Sequence, residues 1–234
     1  MNDSLPSLRR VVPSLITFTG LVCAFSAVLL VINGELTTAG ACILAGYLLD
    51  ALDGGVARRL GVASPFGLQL DSLVDVVTFG VAPSVLVYQY LQPLSIRPAI
   101  VWAACVCYMV GGVFRLARFN LLPAKESHSE SVGLTISTSG ATLALCVLSN
   151  RAYDHRLIPA GAFPALAVVL ALLMASRVRY PALASVFRRR WLGVAGLAAA
   201  VVLAIWLSPQ LVWLALTGGY VSFGLARAVY GLLR

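Results

Sequence analysis

The feature that most constrains this chain is a succession of about eight stretches of roughly 20 mainly apolar residues, each long enough to cross the hydrocarbon core of a bilayer as a helix. They fall at 11–32, 38–58, 68–91, 99–118, 133–149, 159–176, 190–207 and 210–231, separated by short polar or Gly/Pro-rich breaks. Together they occupy nearly all of the 234 residues and leave no room for a separate soluble domain. With 60% hydrophobic residues, 11% charged residues and a mean hydropathy of +0.92, the apolar surface far exceeds what one soluble core could hide. The expected fold is therefore all-α, a single polytopic membrane helix bundle of about eight transmembrane helices. The first apolar run follows Arg9 and Arg10 but is too long for the core of a signal peptide, so it is read as a retained span.

Orientation follows from the basic residues. With the N-terminus inside, all of the 17 Lys and Arg except Arg97, Arg151 and Arg156 fall at cytoplasmic ends or loops. Both termini are then cytoplasmic. The net charge of +8 is explained by this asymmetry and by attraction to anionic membrane lipids, with no nucleic-acid partner required. The five cysteines all lie inside expected spans and do not suggest a disulfide framework. His128 and His155 sit in loops far apart in sequence and receive no role.

The nine acidic residues are distributed very differently. Four of them, Asp50, Asp53, Asp71 and Asp75, fall near the cytoplasmic ends of the second and third spans. A charge deep in a bilayer costs roughly 2.5–3.5 kcal/mol on insertion scales, so carboxylates there need partners. Asp50 and Asp53 are separated by about 60° around one helix, and Asp71 and Asp75 by about 40° around the next. Gly61, Ser64 and Pro65 make a plausible turn between the two helices, so the four carboxylates can converge. An all-oxygen cluster without His or Cys suits hard cations such as Mg²⁺, Mn²⁺ or Ca²⁺, and two of them become plausible. Gly54 and Gly55 would let a bulky ligand approach the helix backbone, and Arg58 offers a positive charge suited to a diphosphate. The bland alternative pairs the aspartates with Arg58, Arg59, Arg115 and Arg118, and uses Gly54, Gly55 and Gly67 for close helix packing.

The segment also fits D-x2-D-G-x2-A-R-x8-G-x3-D-x3-D, with Asp50, Asp53, Gly54, Ala57, Arg58, Gly67, Asp71 and Asp75 at the fixed positions. In this it resembles the CDP-alcohol phosphotransferase family. The resemblance implies a catalytic core of six membrane helices, a two-metal site at the cytoplasmic face, and release of CMP. It implies that Asp50, Asp53 and Asp71 are metal ligands and that Asp75 is both a ligand and the base for the acceptor hydroxyl. Gly54, Ala57, Arg58 and Gly67 are assigned to the nucleotide and diphosphate. On this view residues 1–181 form the catalytic membrane domain and 182–234 add two C-terminal helices.

Further segments resemble the phosphatidylserine synthase branch: TFGVAP (Thr78 to Pro83), RLARFN (Arg115 to Asn120) and RYP (Arg179 to Pro181). They imply CDP-diacylglycerol as donor and L-serine as acceptor, in a bacterial or archaeal cell membrane; a homodimer and a monomer both stay open. Thr78, Arg115, Arg118 and Asn120 become candidates for binding the acceptor, the arginines through a carboxylate or phosphate. The chain departs from the branch in two places. Its first span has Pro13, Ser14, Thr17, Gly20 and Leu21 where P-N-x2-T-x2-N-L is usual, and Gly133 to Ser137 replaces G-L-P-x-P. These departures leave the metal chemistry untouched and bear on the acceptor, for which glycerol 3-phosphate, inositol phosphate or choline are the alternatives. A cation transporter is a remote alternative, since its site is expected near the midplane on broken helices, often with internal repeats, neither of which the sequence suggests.

Overall fold

The computed structural model describes residues 5–60, 64–94, 96–121, 130–154 and 157–181, together with isolated helical positions between 215 and 226. Helix α1 (Leu5–Ile32) is followed by Gly34, whose φ of 82° lies in the left-handed region. The Gly34 N–H bonds the Val31 carbonyl at 3.0 Å and the Glu35 N–H bonds Leu30 at 2.9 Å, the pair that closes a helix in the Schellman manner. Helix α2 (Leu36–Leu60) accordingly turns back and packs along α1.

Ser64 caps α3 (Pro65–Asp75), accepting from the Gly67 N–H at 3.0 Å, while Pro65 occupies the first turn where its missing N–H costs nothing. From α3 the chain continues through a π-helical turn (Val76–Val81) into α4 (Ala82–Leu91), giving one continuous rod of 27 residues. Helix α5 (Pro98–Asn120) also begins on proline. Helix α6 (Ile136–Ala152) is capped by Thr135, and every residue from Thr138 to Asn150 is buried. A helix buried on all sides belongs at the centre of a bundle, and α6 indeed contacts α2, α4 and the π turn. Helix α7 (Ala162–Ala175) packs along α5.

Two interior contacts organise this arrangement. At Gly140 a Cβ would lie 2.9 Å from the backbone of Phe79, so only glycine lets α6 approach the π turn this closely. At the other end of α6 the buried Asn150 side chain donates to Tyr90 Oη (2.8 Å) and to the Ile158 carbonyl (2.9 Å), and accepts from the N–H groups of Leu157 and Ile158. All its amide capacity is spent fixing the α6–α7 connection.

The helical expectation is met in its main lines. Four described segments are long and apolar enough to cross a membrane: Pro13–Ile32, Leu36–Asp53, Pro65–Leu91 and Pro98–Asn120. Ala162–Ala175 is a shorter apolar helix, and α6 has 17 residues. The spans expected at 190–207 and 210–231 lie outside the described residues apart from the isolated positions named above. One departure from a purely helical chain is a small antiparallel ribbon, β1 (Glu130–Val132) with β2 (Arg179–Pro181), in which Ser131 stands opposite Tyr180. It fixes the start of the fifth expected span: Gly133, at φ 81°, and the Thr135 cap delay helix formation until Ile136.

Candidate active site

Asp50 and Asp53 sit one turn apart on α2, and Asp71 and Asp75 one turn apart on α3, the two helices flanking the Ser64 cap. The structure brings all four to one cleft, whose walls also include Ile16, Thr17 and Gly20 from α1, and Thr78 and Phe79 from the π turn. Carboxylate oxygens of Asp50, Asp53 and Asp71 lie within 4.8 Å of one another. Asp53 is buried and the other three are half-buried. Three carboxylates at such separations repel strongly in a poorly polarisable surrounding unless counter-charge is near. The donor set, oxygen atoms alone at mutually bridgeable distances, fits one or more hard divalent cations.

Three other helices bring polar side chains towards the carboxylates. From α1, the Thr17 hydroxyl donates to Asp53 Oδ2 at 2.7 Å. From α6, Ser137 brings its hydroxyl near the Asp50 carboxylate. From α5, the buried Arg115 guanidinium, 7% exposed, interacts electrostatically with Asp50 and Asp75 and lies 5.6 Å from the Phe119 ring centroid. Sequence reasoning had not assigned Thr17 or Ser137 to the site. Thr17 could have been suspected because it is the threonine retained from the usual first-span pattern. Ser137 stands within the substituted G-L-P-x-P segment and gives no local signal of its own.

The π turn follows directly on Asp75, and its geometry can be traced to Pro83. In an uninterrupted α-helix the N–H of residue 83 would serve the Phe79 carbonyl, but proline has no N–H and its ring crowds that oxygen. Here the Ala82 N–H reaches back five residues to the Val77 carbonyl, widening the turn. The Tyr108 hydroxyl on α5 donates to the Phe79 carbonyl at 2.7 Å, supplying the hydrogen bond that Pro83 cannot. The Ser84 hydroxyl donates to the Gly80 carbonyl at 2.6 Å, and the Thr78 hydroxyl to Val74 at 2.9 Å. The TFGVAP segment is thus a re-aimed helical turn, its carbonyls satisfied from outside the ladder.

The other residues singled out from the sequence are placed as follows. Thr78 is buried at the cleft wall. Arg118 spreads its guanidinium over three carbonyls, Ala175 (3.0 Å), Ser176 (2.9 Å) and Val132 (3.1 Å), closing the C-terminus of α7 and holding the ribbon beside it. Asn120 donates to Ser72 Oγ at 3.0 Å, tying the end of α5 to α3. Gly67 is the residue whose N–H the Ser64 cap engages. The backbone of α2 runs through Gly54, Ala57 and Arg58 to Leu60; their side-chain positions lie outside what the structure describes.

A helical bundle with four segments able to cross a membrane, which gathers four aspartates from two adjoining helices into one cleft, suits divalent-metal chemistry in a membrane protein. The sequence model of CDP-alcohol phosphatidyltransferase matches residues 10–206, and the chain belongs to that family. It is similar to CDP-diacylglycerol–serine O-phosphatidyltransferase of Helicobacter pylori, 33% identical over 171 residues, covering 72% of this chain and 71% of the relative. The enzyme of the same name from Bacillus subtilis is 32% identical over 170 residues, covering 73% and 89%. Archaetidylserine synthase of Methanothermobacter thermautotrophicus is 33% identical over 189 residues, covering 77% and 74%.

Proposed function

We infer that this chain transfers a phosphatidyl group from CDP-diacylglycerol to the hydroxyl of L-serine, giving phosphatidylserine and CMP. The observation that carries the reading is the convergence of Asp50, Asp53 and Asp71 to within 4.8 Å, with Asp75 in the same cleft, in a chain whose relatives are named for this reaction. Asp50, Asp53, Asp71 and Asp75 would hold two divalent cations, Mg²⁺ or Mn²⁺, with Ca²⁺ as a third option. When bound, such cations neutralise the charge that builds on the attacking and leaving oxygens during displacement at phosphorus.

The chain's own residues then divide the work. Gly54, Ala57 and Gly67 leave the helix surface open to the cytidine diphosphate, and Arg58 holds its phosphates. Asp75 takes the proton from the serine hydroxyl as that oxygen bonds to the phosphatidyl phosphorus and the bond from phosphorus to CMP breaks. Arg115 is the acceptor residue best supported, because its guanidinium is held near Asp50 and Asp75 and can receive a serine carboxylate. Thr78 lines the wall beside it, while Arg118 and Asn120 support the acceptor side by fixing α5 against α7 and α3. The site would face the cytoplasm, where free serine and CDP-lipid meet.

The relatives' names share serine and differ in the lipid, so the head group is the firmer half of the assignment. The test is purified protein supplied with CDP-diacylglycerol, Mn²⁺ or Mg²⁺ and a panel of alcohols, with CMP release measured for each. Serine should stand out. A preference for glycerol 3-phosphate, inositol phosphate or choline would overturn the acceptor and keep the chemistry.

A further inference from the structure

Helix α1 brings no carboxylate to the cleft, since Pro13 to Ile32 contains no acidic residue. It nevertheless reaches the cluster through a hydroxyl. Thr17, 8% exposed, has its hydroxyl 2.7 Å from Asp53 Oδ2 and 3.0 Å from the Pro13 carbonyl one turn back. The second contact is the ordinary back-bond of a helical threonine. A hydroxyl has one proton to give, and the shorter contact, to the carboxylate oxygen, is the stronger competitor for it.

We propose that Thr17 is a positioning residue for the metal site: by donating to Asp53 Oδ2 it fixes the rotation of the carboxylate that lies within 4.8 Å of Asp50 and Asp71. The inference rests on the two-metal reading above. It gives α1 a defined part in that reading: Thr17 limits the rotational freedom of one ligand, so that cation binding does not have to order Asp53 as well. Removing a partner of this kind behind a metal ligand typically costs 10–100-fold in metal affinity.

The test compares Thr17→Val, which keeps the shape and removes the donor, with Thr17→Ser, which keeps the donor and loses a methyl. Thr17→Ala is the companion variant should valine fail to fold beside the carboxylate. Two readouts are taken on detergent-purified full-length protein: Mn²⁺ binding, followed by its spin resonance signal, and the Mn²⁺ concentration giving half-maximal CMP release. Thr17→Val should shift both by about 10–100-fold toward higher Mn²⁺. Thr17→Ser should stay close to the parent, and the KM for serine at saturating Mn²⁺ should not move. A Thr17→Val protein that melts lower but titrates Mn²⁺ like the parent would reduce Thr17 to a packing residue and overturn the proposal. The failures are distinguishable: if the parent itself binds no Mn²⁺, or Asp53→Asn binds it unchanged, the metal reading fails and Thr17 falls with it.

Discussion

Tyr108→Phe should be the most informative single-atom change in the bundle. The Tyr108 side chain is fully buried and its hydroxyl makes a 2.7 Å bond to the Phe79 carbonyl, the oxygen left without its usual donor by Pro83. Phenylalanine preserves the packed ring and deletes only the donor, so no cavity larger than one oxygen is made. The cost is then that of an orphaned buried carbonyl, about 1–3 kcal/mol. At about 2–4 °C per kcal/mol for a chain of this size, the melting temperature should fall by roughly 2–12 °C. Pro83→Ala restores an N–H in the same turn, so in the Pro83→Ala background the Tyr108→Phe cost should shrink by about 1 kcal/mol or more. Melting of the four proteins in one detergent, arranged as a double-mutant cycle, measures this coupling directly. Equal Tyr108→Phe costs in both backgrounds would refute the link between Pro83, the widened turn and the tyrosine.

Asp71→Asn should abolish CMP release while leaving the melting temperature near that of the parent or above it, because one of several crowded carboxylates is neutralised; near-normal turnover would contradict the metal assignment. Asp75→Asn should retain CDP-diacylglycerol binding and lose at least the roughly 100-fold in turnover typical of a missing general base, measured as donor affinity beside CMP release at saturating serine. Loss of donor binding in step with activity would make Asp75 chiefly a ligand. Arg118→Ala should lower stability by about 2 kcal/mol or more by uncapping α7, with the serine KM little changed, whereas a raised KM at unchanged stability would put Arg118 in contact with the acceptor.

What could be read from the sequence was what lies within one or two helical turns. The apolar runs announce the helices, and the spacing of Asp50 with Asp53 and of Asp71 with Asp75 announces two carboxylate faces, because both follow from the helical period. The Ser64–Pro65 start of α3 was legible as a turn for the same reason, being local chemistry. The fifth span was placed about three residues early, since apolar Leu134 extends the run while Gly133 and Thr135 decide where the helix starts. The ribbon had no period to detect in three residues per strand, and its pairing joins segments about 50 residues apart. The π turn was hidden for a related reason. Pro83 alone predicts a disturbed helix, but the form the disturbance takes depends on Tyr108 from α5 and Gly140 from α6.

The same distinction separates the two kinds of residue in the cleft. The aspartates are concentrated in one helix pair, so their relative placement is set by a single cap and the helical repeat. Side chains near them come from three other helices: Thr17 from α1, Arg115 from α5 and Ser137 from α6. Each can reach its carboxylate only when the bundle has assembled, which couples the geometry of the cluster to the packing of helices that contribute no ligand. Substitutions along α1 and α6 can therefore retune the site without touching the aspartates. Ser137 illustrates the point, since a serine in the stretch where related chains usually carry G-L-P-x-P brings a hydroxyl near Asp50. On this reasoning the differences among family members in choice of acceptor should be sought first on the α5 and α6 wall, beside Arg115 and Ser137, and only afterwards in the carboxylate motif that performs the transfer.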